Sequence, residues 1–410
     1  MERPIALPRQ NDNAQAPSPD RDDHICVAQP NQTLKLFLRT IIERPHLARN
    51  TKRVVLGSWS RSTSYNDSLY QDAVEASKPG PNLRSTYFKA LRKLAVLRRS
   101  RNGADFFSWL DFVSHVLDGY EGSELILLLQ LTPNLTTLHL AQIPYIRKWM
   151  VTGEYGLASR VNTIRLGSAD KMHEVMLFRL RVLLTLPNLR TLTFVNCSVW
   201  GLSRCPPSNL TCLSFQRCWV SPSAFELLIE HISNLEIFKW IGPRYQDRRL
   251  SRRGLEQHHD TVIRMLLAFV DRQKSSLRTL RILGDEFGTN AQRLSLKGFN
   301  LLEKLAIESR LLDADRLCLS DQLPQSLRYL MIDQCCAQMA LRLVALIGAR
   351  ALPNLKEVGF GHVHLDVLSH LHRMEYELAA SELRKTCATK GWVLTRIVKD
   401  RWTSMTEAAL

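Results

Sequence analysis

One pattern constrains this chain more than any other: apolar residues at offsets 0, +3 and +5, recurring along most of its length. "LPNLRTLTFVNC", Leu186 to Cys197, carries it as Leu189, Leu192 and Phe194. The same offsets recur at Leu135-Leu138-Leu140, Val161-Ile164-Leu166, Leu210-Leu213-Phe215 and Leu235-Phe238-Trp240. Four more copies follow at Leu277-Leu280-Ile282, Leu302-Leu305-Ile307, Leu327-Leu330-Ile332 and Leu355-Val358-Phe360. A weaker copy precedes them at Thr51-Val54-Leu56. The intervals between the nine clear first positions are 26, 28, 21, 25, 42, 25, 25 and 28 residues. Near-constant spacing of this size belongs to stacked supersecondary units. The interval of 42 holds one unit plus the insertion "GPRYQDRRLSRRGLEQHH", residues 242–259.

Between the strand-like segments the apolar period lengthens from two to that of a helix. "SPSAFELLIEHIS" offers Ser221 as N-cap and Pro222 at the first helical position, with Phe225, Leu228, Ile229 and Ile232 on one face. "DTVIRMLLAFVDRQ" repeats this with Val262, Met265, Leu266 and Phe269, and "AQMALRLVALIGAR" with Met339, Leu343 and Leu346. Each unit is thus a strand, a turn and an amphipathic helix. One unit cannot bury its own apolar strand face, whereas stacked units share a continuous core. The expected organisation is a disordered N-terminal segment over 1–30, rich in Pro, Asn, Asp and Gln. A helical region over 31–133 follows, holding the degenerate first copy and a long loop over 58–82. Its helices are expected in "TLKLFLRTIIERPHLA" and near Thr86–Arg99 and Asp105–Leu117. A repeat array spans 134–400 and a tail 401–410. "GWVLTRIV" closes the array after a last helix, Ser369 to Thr389.

The net charge of +16, from 55 basic and 39 acidic residues, favours anionic partners without choosing among acidic protein, nucleic acid and lipid. No apolar run reaches the roughly 18 residues of a membrane span, and the N-terminus has no apolar signal core. Nine cysteines, an odd number in a chain of 410 residues, point to reduced thiols in the cytosol or nucleus.

Few residues suggest chemistry. Zinc held by Cys197, Cys205, Cys212 and Cys218 would need closely paired cysteines, which their spacing lacks. "GHVHLDV" is similar to the H-x-H-x-D-H pattern of metallo-β-lactamases through His362, His364 and Asp366, but Val367 replaces the last histidine. In "HHD", Asp260 is expected near a helix N-cap. No G-x-S-x-G, Walker-type or G-x-G-x-x-G segment occurs. The basic runs "RKLAVLRRSR" and "RRLSRR" lack the interleaved aromatics of nucleic-acid binders, so nucleic acid is not the expected partner. No catalysis, cofactor or metal is expected, with a metal-dependent hydrolase using His362 and His364 as the outside alternative.

Strands such as "NLRTLTFVNC" and "SLRYLMIDQC" resemble the cysteine-containing class of leucine-rich repeats. Cys197, Cys218 and Cys335 each stand eight residues after a first position, where that class places a structural cysteine. Residues 31–400 resemble the repeat region of fungal F-box/leucine-rich-repeat proteins. The resemblance implies an α/β, irregular leucine-rich-repeat solenoid with a curved parallel sheet on its concave side and helices on its convex side. It further implies substrate recognition for an SCF-type ubiquitin ligase. Residues 1–33 carry "ALPRQND" but no F-box helix behind it. A Skp-type adaptor is therefore expected only with an F-box upstream, and a ligase-independent scaffold is the alternative.

Strand alternation sharpens the expectation. If Leu192 and Phe194 point inward, Thr191 and Thr193 point outward. The same parity brings His139, Arg165, Gln216, Lys239, Arg281, Lys304, Glu308, Tyr329, Met331 and Asp333 to one concave face. These twelve residues are the expected protein-binding surface.

Overall fold

The computed structural model describes residues 24–27, 30–57, 79–98, 106–118, 120–141, 160–167, 173–176, 183–184, 186–201, 208–242, 252–284, 294, 296–312, 319–362 and 370–397. It opens with strand β1 (His24–Val27), helices α1 (Pro30–Glu43) and α2 (Pro45–Asn50), and β2 (Arg53–Leu56). Helices α3 (Pro81–Arg98), α4 (Phe106–Leu117) and α5 (Glu121–Leu131) lead to β3 (Thr137–Leu140) and β4 (Thr163–Gly167). Strands β5 (His173–Met176), β6 (Thr191–Val195), β7 (Cys197–Trp200), β8 (Cys212–Gln216) and β9 (Trp219–Val220) come next. Then α6 (Pro222–His231), β10 (Ile237–Ile241), α7 (Arg252–Arg272), β11 (Thr279–Leu283), β12 (Lys304–Glu308) and β13 (Tyr329–Cys335) follow. Helix α8 (Ala337–Gly348), β14 (Glu357–His362), α9 (His370–Lys390) and β15 (Val393–Ile397) complete the chain.

Among the described residues, twelve strands form one sheet in the order β1-β2-β3-β4-β6-β8-β10-β11-β12-β13-β14-β15. Every pairing is parallel, and each strand lies beside its neighbour in the series, so the architecture is α/β and solenoid-like. Every clear copy of the apolar pattern starts a strand two residues after its first position, from Thr137 to Glu357. The weak copy does the same at Arg53.

The main chain sets this register. The N–H groups of Thr136 and Thr137 both donate to the Lys52 carbonyl. Those of Asn162 and Thr163 donate to Thr136, and the step recurs up to Lys356 and Glu357 on Arg328. Side chains just before the strands bind the unit before: Asn134 Nδ2 donates to the Arg49 carbonyl at 2.7 Å, and Asn354 Nδ2 to Gln325 at 3.0 Å. Ser326 Oγ donates to Leu302 at 2.8 Å.

The apolar offsets fill a continuous core. Leu138, Ile164, Leu192, Leu213, Phe238, Leu280, Leu305 and Leu330 are each at most 1% exposed. Phe194 and Phe215 are register partners on β6 and β8, and their rings stack at 5.0 Å, close to the spacing of the strands that carry them. The expected helices pack behind. Ser221 Oγ accepts from the Ala224 N–H at 3.2 Å, with Pro222 in the first turn of α6. On α7, Leu266 and Phe269 are fully buried.

Several expectations change. Residues 24–27 lie in the segment expected to be disordered, yet β1 pairs with β2, and α1 begins at Pro30. "TLKLFLRTIIERPHLA" forms two helices, because Pro45 breaks the run after Arg44. Helix α7 starts at Arg252, within the insertion and eight residues before the Asp260 expected to cap it. Helix α5 was unforeseen, since its apolar residues 125–129 are buried all round and show no amphipathic face. A second parallel sheet, β5-β7-β9, was not expected; β5 follows β4, β7 follows β6, and β9 directly precedes the expected helix α6. Its Trp200 and Trp219 rings meet at 4.5 Å. Most of the loop expected over 58–82 lies outside the described residues; only its end is seen, as the start of α3.

Candidate functional site

Pairing register fixes which side chains share the sheet face turned away from the core. One row runs Val55, His139, Arg165, Thr193, Ser214 and Lys239 across β2 to β10. It continues as Arg281, Ala306, Met331 and Gly359 from β11 to β14. A row nearer the strand entrances runs Arg53, Thr137, Thr163, Thr191 and Cys212, and later Lys304, Tyr329 and Glu357. A third row holds Gly167, Val195, Gln216 and Ile241, and Glu308 and Asp333. All twelve expected residues therefore lie in outward register positions of one sheet.

Their exposure splits the face in two. From β2 to β10, His139, Arg165, Thr191, Thr193, Gln216 and Lys239 are half-buried. Towards the C-terminal end, Arg281 is 4%, Met331 2% and Glu308 0% exposed, while Lys304, Tyr329 and Asp333 are half-buried. Small neighbours explain this. Ala306 lies between Arg281 and Met331 in the register, so the long Arg281 side chain has room to turn towards β13. Burial lowers the pKa of its guanidinium there, and the nearby Tyr329 and Asp333 oppose that shift. Gly359 and Gly361 leave room beside β13: a Cβ on Gly359 would stand 3.3 Å from Met331, and one on Gly361 would fall on the Asp333 carboxylate. Arg310 Nε lies 3.6 Å from Glu308 Oε1.

At the other end Arg53, His139 and Arg165 converge from β2, β3 and β4. Arg53 Nη2 lies 3.3 Å from His139 Nδ1. Burial, then the charges of Arg53 and Arg165, push His139 down to about 4. Arg53 was missed because its copy of the pattern is weak, although the same parity applied there would have found it. The sign of the pH effect follows. The unfolded chain binds this proton below about 6.5, the folded one only below about 4. His139 should therefore make stability fall as pH drops from 6.5 to 4. Urea midpoints at pH 7, 5 and 4 should show a weaker decline in His139→Gln than in the parent. An NMR titration of His139 with a midpoint near its ordinary value would refute this.

The three stacked-position cysteines are buried thiols. Each follows a residue in the left-handed region: Asn196 (φ 49), Arg217 (φ 55) and Gln334 (φ 50). Cys197 Sγ lies 3.2 Å from the Val195 carbonyl, and Cys218 Sγ 3.3 Å from that of Gln216. Burial first, then the neighbouring Cys197, raises the Cys218 thiol, and burial raises that of Cys335. Cys212 points to the opposite face, beside Thr191 and Lys239. Cys205, His364 and Asp366 lie outside the described residues. Among the described residues no group of three or more His, Cys, Asp and Glu is placed to hold a metal, and no helix is long and apolar enough to cross a membrane.

No protein-family model matches the chain, and no curated protein matches it.

Proposed function

We propose that this chain is a non-enzymatic protein-binding module of the leucine-rich-repeat type, whose outward sheet face is concave and receives the partner. One observation carries the reading: successive strands of one sheet bring all twelve expected residues into aligned outward rows. Aligned rows let many weak contacts act on one ligand, and half-buried Arg and Tyr side chains are among the residue types that anchor interfaces. The resemblance to F-box proteins makes substrate recognition for a ubiquitin ligase the preferred biological setting, with a ligase-independent scaffold second.

Thr193 sits in the middle of the face, half-buried. Thr193→Trp should lower recovery of co-purifying partners at least tenfold. Arg384→Trp, on the exposed side of α9, should leave it unchanged. Unchanged recovery with the Thr193 variant, or equal loss with both, would overturn the reading. Skp and cullin among the partners favour the ligase setting; partners without them favour the scaffold.

A further inference from the structure

We propose that the face between β2 and β10 receives an extended acidic segment of a protein partner, lying across the strands. This rests on the reading of that face as an interface and specifies what it holds.

Charge is the first argument. The outward positions of β2, β3, β4, β6, β8 and β10 carry three cations, Arg53, Arg165 and Lys239, beside the uncharged His139, and not one Asp or Glu. The partly exposed acidic outward residues stand beyond them, as Asp333 and Glu357 on β13 and β14 with Lys304 beside them on β12, while Glu308 is buried. The face is therefore polar end to end. A ligand that is acidic over β2–β10 and neutral or basic over β13 and β14 matches it, and the reverse orientation brings like charges together.

Spacing is the second. Five strand steps from β2 to β10 cover about 24 Å, at about 4.8 Å each. An extended chain of about seven residues spans that distance. Alternate side chains would face the sheet, and carboxylates among them would meet Arg53 and Arg165 first and Lys239 further on. Thr137 and Thr193 lie among these cations and offer hydroxyl donors to the same ligand. A distributed row of this kind suits several separated carboxylates better than one compact anion.

The third argument separates protein from nucleic acid. Single strands bind through aromatic platforms as well as cations. The outward positions from β2 to β10 hold no Phe, Tyr or Trp.

The test uses the full chain and four labelled probes followed by fluorescence anisotropy at low salt. They are alternating Glu-Ser, Gln-Ser and Lys-Ser nonapeptides and a nine-residue oligodeoxythymidylate. The Glu-Ser peptide should bind at least tenfold more tightly than the other three. Arg53→Gln with Arg165→Gln should weaken it at least tenfold, and Lys239→Gln several-fold. Arg384→Gln with Lys390→Gln, which removes two charges from α9, should change it less than twofold. Arg165→Gln alone, checked by its melting curve, covers the case in which the Arg53 change disturbs folding. Failure of the Glu-Ser peptide to bind, tighter binding of the oligonucleotide, or equal loss from the α9 pair would overturn the proposal. If Thr193→Trp still abolishes partner recovery in that event, the face remains an interface and only its acidic occupant is wrong.

Discussion

Gly167→Val should cost about 4 kcal/mol, summing left-handed strain and overpacking. Gly167 ends β4 at φ +92, a conformation a β-branched residue adopts with difficulty. Space is closed as well. A Cβ there would fall on the Val195 carbonyl oxygen of the neighbouring strand and stand 2.6 Å from Cys197 Sγ. The carbonyl belongs to the β6 backbone, so relief would require β4 and β6 to part. Urea unfolding followed by circular dichroism gives the measurement. Gly348→Ala is the control, because nothing lies within 4 Å of a Cβ at that position. A Gly167→Val midpoint matching the parent's would show that the sheet yields at this point.

Arg281→Glu should be nearly as damaging, by about 3–5 kcal/mol, the cost of leaving buried charge uncompensated. Arg281 is 4% exposed and lies under the influence of Tyr329 and Asp333. Reversal would place a buried carboxylate near Asp333 in place of the cation. Lys239→Glu alters the register partner one strand away, where the side chain is half-buried. Its effect on stability should stay within about 1 kcal/mol, as for most partly exposed positions. The pair of urea midpoints separates a buried cation from a half-buried one. Equal shifts would mean that the two ends of the face do not differ in the way their burial indicates.

The comparison of Arg281 with Lys239 shows where sequence reasoning stops. Parity alone places both on the outward face, because a strand's alternation depends only on the residue's own position. Burial depends on neighbours one to three strands away, here Ala306, Met331 and Gly359, which sequence spacing does not bring together. Strand starts were legible for the same reason that outward parity was: the apolar offsets repeat within each unit. The paired β5, β7 and β9 were not, since segments of two to four residues carry too short a period to tell strand from helix. Arg53 and His139 meet only because the degenerate first copy joins the sheet through the same entrance bonds as the regular ones.

Those entrance bonds have a consequence for how such a chain can vary. Each strand takes its alignment from the carbonyl of the strand before it, and no side chain is needed for that step. Alignment is thus inherited down the line. An insertion such as 242–259 falls in the sequence between β10 and β11 and does not displace β11 from β10 by a single residue. A one-residue error at any entrance would, by contrast, pass to every later strand and turn its core-facing side chains outward. Loop length can therefore change without disturbing the sheet, while the single residue between each first apolar position and its strand cannot.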